Sequence, residues 1–180
     1  MARLGKLPVE IPEGVTAKLG GGVLAVKGSK GEVELSLPRE VEVFQKENTL
    51  TVGRKSTSKQ SIATQGTIRS HIVNLVHGVT EGWARELEIS GAGYRAELSG
   101  KDLVLHVGYS HPVTVEAPKG VNFDVDKNKV TVSGSEKQAI GQAAARIRQV
   151  RPPNVYTGSG IKYADEQVRR KQGKQAAKSE

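Results

Sequence analysis

The sequence predicts an α+β fold: two tandem duplicated domains, each a mainly antiparallel sheet packed on one helix, plus a basic C-terminal extension. Residues 28–53 align without a gap on residues 108–133, with identities at Gly28/Gly108, Val33/Val113, Pro38/Pro118, Val41/Val121, Asn48/Asn128, Thr51/Thr131 and Val52/Val132. Two residues then drop out and the match resumes, Lys59-Gln60-Ser61-Ile62 on Lys137-Gln138-Ala139-Ile140. In each copy an alternating apolar pattern gives way to helical spacing in the same order. A repeat this long, with apolar positions falling on apolar positions, is a duplicated domain and not a short solenoid unit. The implied boundaries are 1–82, 83–163 and a basic tail over 164–180, each repeat large enough to close a modest core.

In the first copy, Val15-Thr16-Ala17-Lys18-Leu19 and Val33-Glu34-Leu35-Ser36-Leu37 alternate at period two, as half-buried strands do. Val41-Glu42-Val43 and Leu50-Thr51-Val52 continue the pattern, with turns at Gly20-Gly21-Gly22, Gly28-Ser29-Lys30-Gly31 and Glu47-Asn48. A helix follows. Ile62, Ile68, Ile72, Leu75 and Val76 recur at helical spacing, between a Ser56-Thr57-Ser58 start and a Gly78 stop. Val79-Thr80-Glu81-Gly82 joins the copies, a linker so short that it implies a nearly fixed pair.

The second copy repeats the plan. Leu87-Glu88-Ile89, Leu103–Val107, Val113-Thr114-Val115, Val121-Asn122-Phe123 and Lys129–Val132 supply its strands, and Pro38 and Pro118 fall just past strand ends, where a missing N–H is tolerated. Ser133 and Glu136 have capping-box spacing at the head of a helix whose inner stripe is Ile140, Ala143, Ala144, Ile147 and Val150, ended by Pro152-Pro153. The tail has helix-forming composition and a favourable charge order, Asp165 and Glu166 ahead of Arg169, Arg170, Lys171 and Lys174. Val168 is its only large aliphatic residue and Gly173 weakens it, so it is expected to be disordered or ordered by a partner.

Composition narrows the function. No cysteine occurs, which removes disulfides and thiolate metal sites. No apolar run approaches the ~18 residues of a membrane span, and Ala2-Arg3-Leu4-Gly5-Lys6 leads into no secretory core, so a soluble cytoplasmic protein without membrane contact is expected. The net charge is +8, and residues 146–180 alone hold nine Lys/Arg against three Asp/Glu. Charge so localised is the footprint of a polyanion partner. A solvated tail is the plainer alternative.

Catalysis has little to stand on. His71, His77, His106 and His111 show no metal spacing, and Gly20-Gly21-Gly22, Gly91-Ala92-Gly93 and Gly158-Ser159-Gly160 match no phosphate-binding glycine loop. The paired carboxylates Glu32/Glu34, Glu40/Glu42 and Glu86/Glu88 sit at alternate strand positions, the solvent face of a sheet. No catalytic residue, metal site or cofactor is therefore expected. Nucleic acid fits better, although aromatics make up only 4% of the chain, too few for serial base stacking. All four tyrosines (Tyr94, Tyr109, Tyr156, Tyr163) lie in the second half, three of them near Gly or Pro, with Arg95, Ser110 and His111 alongside. Glycines let backbone approach a phosphate, while Tyr, Ser and Arg donate to phosphate and 2′-OH groups. Arg148 and Arg151 fall outside the apolar helix stripe and are expected to project outward. With Lys162, Tyr163, Arg169, Arg170, Lys171 and Lys174 they complete a candidate RNA surface.

These residues also resemble a known family, bacterial large-subunit ribosomal protein six (the L-six family), over essentially the whole chain. The resemblance rests on Arg3-Leu4-Gly5-Lys6-Leu7-Pro8 with Ile11-Pro12-Glu13-Gly14-Val15, on Gly66-Thr67-Ile68-Arg69, Asn74, Gly78-Val79-Thr80 and Gly82-Trp83. It continues through Gly93-Tyr94-Arg95-Ala96, Gly108-Tyr109-Ser110-His111-Pro112-Val113, Lys137-Gln138, Gly141-Gln142, Ala144, Ile147-Arg148 and Arg151-Pro152-Pro153. It implies a structural constituent of the large ribosomal subunit that binds 23S rRNA, chiefly through the second domain and tail. The implied position is near the stalk base and elongation-factor site, with neighbouring ribosomal proteins as partners and transient elongation-factor contact. One segment departs from the family: where Tyr-Lys-Gly-Lys-Gly is usual, Tyr156-Thr157-Gly158-Ser159-Gly160 stands here. That shifts phosphate contact toward neutral hydroxyls, Lys162 and the tail. From the residues alone two rivals stay open, an RNA-processing enzyme using His106 or His111 and a protein–protein adaptor with a solvated tail.

Overall fold

The structure, a computed structural model, describes residues 4–173. Contacts divide them into two compact units: residues up to Trp83 with Gly134–Lys137, and Ala84–Ser133 with the residues from Gln138 onward. Both have the α+β architecture the sequence predicts.

The first unit opens on a 3₁₀ turn, Leu4–Lys6, and runs β1 (Val9–Glu10), β2 (Thr16–Gly20), β3 (Val23–Gly28), β4 (Gly31–Ser36), β5 (Val41–Lys46), β6 (Thr49–Arg54) and α1 (Lys59–Thr80). Two three-stranded antiparallel sheets form, in the orders β2-β3-β4 and β1-β6-β5. Ile68, Ile72, Leu75, Val76 and Val79 of α1 share one core with Leu24, Val26, Val33, Leu50 and Val52 of the strands. Full burial of a side chain such as Ile72, 0% exposed, stabilises by about 1.5–3 kcal/mol. Ser58 caps α1 by accepting from the Ser61 amide at 3.1 Å, as its serine-rich start predicts.

The second unit continues with β7 (Trp83–Ser90, its first residue counted with the first unit), β8 (Arg95–Ser99), β9 (Asp102–His106), β10 (Val113–Val115), β11 (Val121–Asp126), β12 (Lys129–Gly134), α2 (Lys137–Val150) and β13 (Gly160–Tyr163). The element bounds carry the duplication further than identities do: β5 and β6 lie eighty positions before β11 and β12, residue for residue. Glu47 and Lys127, the two non-glycine residues with positive φ among the described residues (46° and 52°), occupy the same hairpin turn of each copy. In both, a proline carbonyl opens the next strand, Val41 N–H donating to Pro38 O and Val121 N–H to Pro118 O at 3.1 Å.

The sheets differ at one edge. The first unit orders its strands β1-β6-β5, the second β11-β12-β7-β13. Strand β13 pairs antiparallel with β7, Ile161 opposite Ile89 and Lys162 opposite Glu88, and Ile161 is fully buried. The chain beyond α2 thus contributes a strand, where no strand was expected. Strands β1, β3 and β8 were also not anticipated.

Other expectations give way for local reasons. Helix α1 does not stop at Gly78 but runs to Thr80, with Glu81 and Gly82 amides returning to His77 O and Gly82 taking φ 85°. Gly78 lies inside the helix because a Cβ there would meet a backbone carbonyl, that of Ser135. The buried face of α1 includes Ser61 and Gln65, whose Nε2 donates to Val52 O at 2.6 Å, so the stripe holds two polar residues while Ile62 is only half-buried. Ser133 belongs to β12 and heads no capping box.

Gly28 and Gly108, identical in the repeat, are glycine for different reasons. Gly108 has φ 78°, a left-handed conformation a side chain resists. Gly28 has no such φ; a Cβ there would lie 2.6 Å from Val79 O, because the Gly28-Ser29-Lys30 turn closes on the end of α1. Lys30 N–H donates to Val79 O at 3.0 Å and Ser29 Oγ to Thr80 O at 3.1 Å, satisfying carbonyls that a helix end leaves bare. Gly28→Ala should therefore lower stability by about 1–3 kcal/mol in urea unfolding. Gly66→Ala, in the interior of α1 with open space at its Cβ, should raise it by roughly 0.5–1 kcal/mol.

Candidate nucleic-acid interface

Helix α2 ends at Val150, and the chain then turns through Arg151–Ser159 before entering β13. Pro152 and Pro153 forbid continued helix. Asn154 folds the turn back: its Oδ1 accepts from the amides of Tyr156 (2.8 Å) and Thr157 (3.3 Å), its own amide donates to Ser159 O at 2.8 Å, and its carbonyl accepts from Gly158 N–H at 2.8 Å. A side-chain carbonyl holding two amides is the mechanism that makes asparagine a turn residue. Gly160 is required there, since a Cβ would sit 2.6 Å from Pro152 O at φ 141°.

This turn forms one wall of a cleft of about 700 Å³, completed by Tyr94, Tyr109 and Arg151. Tyr94, just ahead of β8, lies on glycine backbone: a Cβ at Gly91 would come within 2.7 Å of its ring, and one at Gly108 within 3.3 Å. The Tyr109 hydroxyl donates to Val150 O at 2.8 Å, capping α2, while 47% of the residue stays exposed. Arg151 stands over the Tyr109 ring, 5.1 Å from its centroid, a cation–π contact. The hydroxyls of Tyr109 and then Tyr94 raise its pKa further, and a guanidinium is charged at any working pH. Tyr156 is the most open of the group at 59% exposure. Among the described residues no carboxylate lines this cleft.

The remaining candidates lie elsewhere. Arg95, first residue of β8, is exposed and pairs with Glu97 at 3.1 Å; Ser110 and His111 are exposed in the loop between β9 and β10, and none of the three lines the cleft. Lys162 pairs across strands with Glu88 at 2.9 Å and, chiefly by that hydrogen bond, holds its carboxyl below the usual range. Tyr163 lies beneath the guanidiniums of Arg85 (4.8 Å) and Arg148 (5.7 Å).

Arg148 does not project freely. Its Nε donates to Glu166 Oε2 at 2.7 Å and its Nη2 to Oε1, a two-bond fork in which both side chains are about one quarter to one third exposed. Glu166 Oε2 also accepts from Tyr163 N–H at 3.3 Å. These bonds, that with Arg148 first, lower the Glu166 pKa despite partial burial, and Arg148 is raised in turn.

The fork explains a second correction. Ala164–Gly173 forms no helix and lies along its own unit. Ala164 N–H donates to Glu86 O (3.1 Å), Lys171 N–H donates to Val155 O (2.9 Å), and the Arg170 guanidinium covers Gly158, where a Cβ would lie 2.5 Å from Nη2. Polar anchoring replaces the apolar face the segment lacks. Arg169, Arg170 and Lys171 are exposed at its end, and Lys174 lies outside the described residues. Among the described residues no three His, Cys, Asp or Glu converge on a metal position, and no helix is long and apolar enough to cross a membrane.

Comparison with known proteins settles the kinship. The sequence profile described as "Ribosomal protein L6" matches residues 11–82 and 90–164. The chain belongs to the ribosomal protein L6 family. Among its relatives, "Large ribosomal subunit protein uL6" of Synechococcus sp. (strain RCC307) is 48% identical over 179 residues, covering 99% of this chain and all of the relative. The proteins of that name from Natranaerobius thermophilus and Staphylococcus epidermidis (strain ATCC 35984) are each 49% identical over 175 residues, 97% of this chain and 98% of theirs. The profile matches twice along the chain, and its second segment spans the whole cleft turn and β13.

Sequence reasoning missed Glu166, taken for a helix-dipole acid, and Arg85 and Asn154. Asn154 carried a signal, an asparagine between Pro-Pro and a glycine. The pairing of Glu166 predicts a pH response. Its folded pKa is depressed, so the stabilisation is present above the unfolded value and is lost as pH falls through the folded one. The Tyr163 amide resonance should report a midpoint below the ordinary glutamate range, moving upward in Arg148→Gln. A midpoint unmoved by that substitution would show that Arg148 does not set it.

Proposed function

We propose that this chain is a structural constituent of the large ribosomal subunit, acting in the cytoplasm, and that it binds 23S rRNA through its second unit without catalysing a reaction. The observation that carries the reading is similarity over nearly its full length to proteins named for the large ribosomal subunit. The surface supports it. Arg151, Arg169, Arg170 and Lys171 make no ion pair with a described carboxylate, whereas Arg85, Arg95, Arg148 and Lys162 do. Unpaired cations beside hydroxyl donors suit RNA backbone, and the paired ones set the shape that presents them.

Among the cations that the sequence nominates, the load on phosphate therefore falls on Arg151 and on the arm that follows β13. Lys162 is engaged by Glu88, and Thr157 and Ser159 carry hydroxyls where the family usually has lysines. We extend the reading, on the family resemblance, to a position near the stalk base and elongation-factor site, with neighbouring ribosomal proteins as standing partners and elongation factors as transient ones.

The test is salt dependence. Binding of 23S rRNA by the whole chain should weaken steeply between low and high KCl. Replacing Arg169, Arg170 and Lys171 together by glutamine should flatten log K against log[salt] by about two to three, since each neutralised phosphate accounts for roughly 0.7–0.9 of the slope. No binding at low salt would overturn the function; an unchanged slope would move the phosphate-binding surface elsewhere.

A further inference from the structure

The cleft beside the α2 end has a form that backbone binding does not require. Duplex phosphates are met by cations and amides on an open surface. Here the cations bound for phosphate, Arg169 to Lys171, already lie on such a surface. The cleft instead combines a volume of about 700 Å³, within the range of small-ligand sites, with aromatic rings, one guanidinium and no carboxylate. A second cleft of this unit, about 580 Å³, mixes Glu88 and Glu166 with Lys129, Lys162 and Arg170 and has no aromatic ring in its lining on which a base could stack.

We propose that this cleft receives a single unstacked nucleotide of the bound RNA, its base against Tyr156 and its phosphate on Arg151. The inference rests on the RNA-binding reading and adds the class of ligand. Each group has its other commitments settled. Tyr94 rests on Gly91 and Gly108, and one face of Tyr109 is occupied by Arg151. Tyr156 is 59% exposed and its backbone is held by Asn154, so a ring carried on a fixed turn offers an exposed face. Stacking on such a face tolerates any base. Arg151 has no carboxylate partner among the described residues, and its contact with the Tyr109 ring fixes its position.

Specificity for the edge of the nucleotide comes from the turn. With Asn154 Oδ1 occupied by two amides, its NH₂ is the group left to donate outward. Thr157 Oγ1 accepts from Ser159 N–H at 3.3 Å and keeps its own hydrogen for a ligand acceptor. These donors suit a ribose hydroxyl or a base carbonyl. Where lysines at 157 and 159 would bring two more charges to a backbone, Thr157 and Ser159 leave a neutral wall suited to a sugar and base.

The test uses the full chain with 23S rRNA transcript as probe, in equilibrium binding over a range of KCl and in ultraviolet crosslinking read by mass spectrometry. Tyr156→Leu should weaken binding roughly five- to 150-fold while leaving the salt slope unchanged, because the stacking partner it removes is neutral. Tyr156→Phe should retain wild-type affinity, and the wild-type chain should crosslink at Tyr156. Wild-type affinity in Tyr156→Leu, or equal losses in the Leu and Phe variants, would overturn the nucleotide pocket while leaving RNA binding intact. Failure of the wild-type chain to bind the transcript would instead overturn the functional reading beneath it. Tyr156 is an exposed turn residue, so these variants keep the fold.

Discussion

A strand inside a sheet must satisfy both of its edges, and β7 has a partner from the duplicated plan, β12, on only one of them. An eight-residue strand with its other edge bare would present a row of unpaired amides and carbonyls and leave Ile89 beside solvent. The chain meets this by bringing Gly160–Tyr163 back onto β7 after the helix, burying Ile161 completely. The rest of the candidate site depends on that pairing. To reach β7 from the end of α2 the backbone must reverse within Arg151–Ser159, and that reversal is the wall of the cleft. What leaves β13 is the basic arm, held by the Arg148–Glu166 fork.

The duplicated frame and the unduplicated segment thus divide the work. Each copy supplies a sheet and a covering helix, with turns so alike that Glu47 and Lys127 share a left-handed backbone eighty positions apart. Only the second copy carries aromatic side chains on its loops and a continuation beyond its helix. Its glycines serve that end: Gly91 and Gly108 clear the ground for the Tyr94 ring, and Gly158 clears it for the Arg170 guanidinium. Electrostatics follow the same logic. Carboxylates take up Arg85, Arg95, Arg148 and Lys162, and of the cations around the cleft and arm Arg151, Arg169, Arg170 and Lys171 make no ion pair with a described carboxylate.

The fold was legible where burial writes a period into the sequence. The alternation in β4, β5, β11 and β12 and the Ile140/Ala143/Ala144/Ile147 stripe of α2 locate those elements, although β5 and β11 run three residues past the alternation read for them. It was less legible where polar residues are buried or strands are short. Ser61 and Gln65 interrupt the α1 stripe because each has an internal hydrogen-bond partner. Strand β1 has two residues and β13 four, too few to alternate convincingly, and β13 exists only because an edge is open elsewhere. Of the candidate site, Tyr94, Tyr109, Arg151 and Tyr156 were named from sequence and do meet. Their meeting was not legible, since it is made by a turn whose direction is set by Asn154. The outward Arg148 and the tail expected to be disordered or ordered by a partner give way together over the described residues, because Glu166, counted as a dipole charge, is the carboxylate that engages Arg148 at the start of that segment.

The central claim is that the turn, β13 and the arm are arranged before any RNA is present. Native-state amide exchange of the free, full chain at neutral pH tests it most directly. Ile161 N–H donates to Arg151 O at 2.8 Å, Gly158 N–H to Asn154 O at 2.8 Å and Lys171 N–H to Val155 O at 2.9 Å. The account predicts slow exchange at Ile161, comparable with core strand amides, and measurable protection at Gly158 and Lys171. Exchange at the unprotected rate at all three would contradict it, and would make the cleft and arm products of binding.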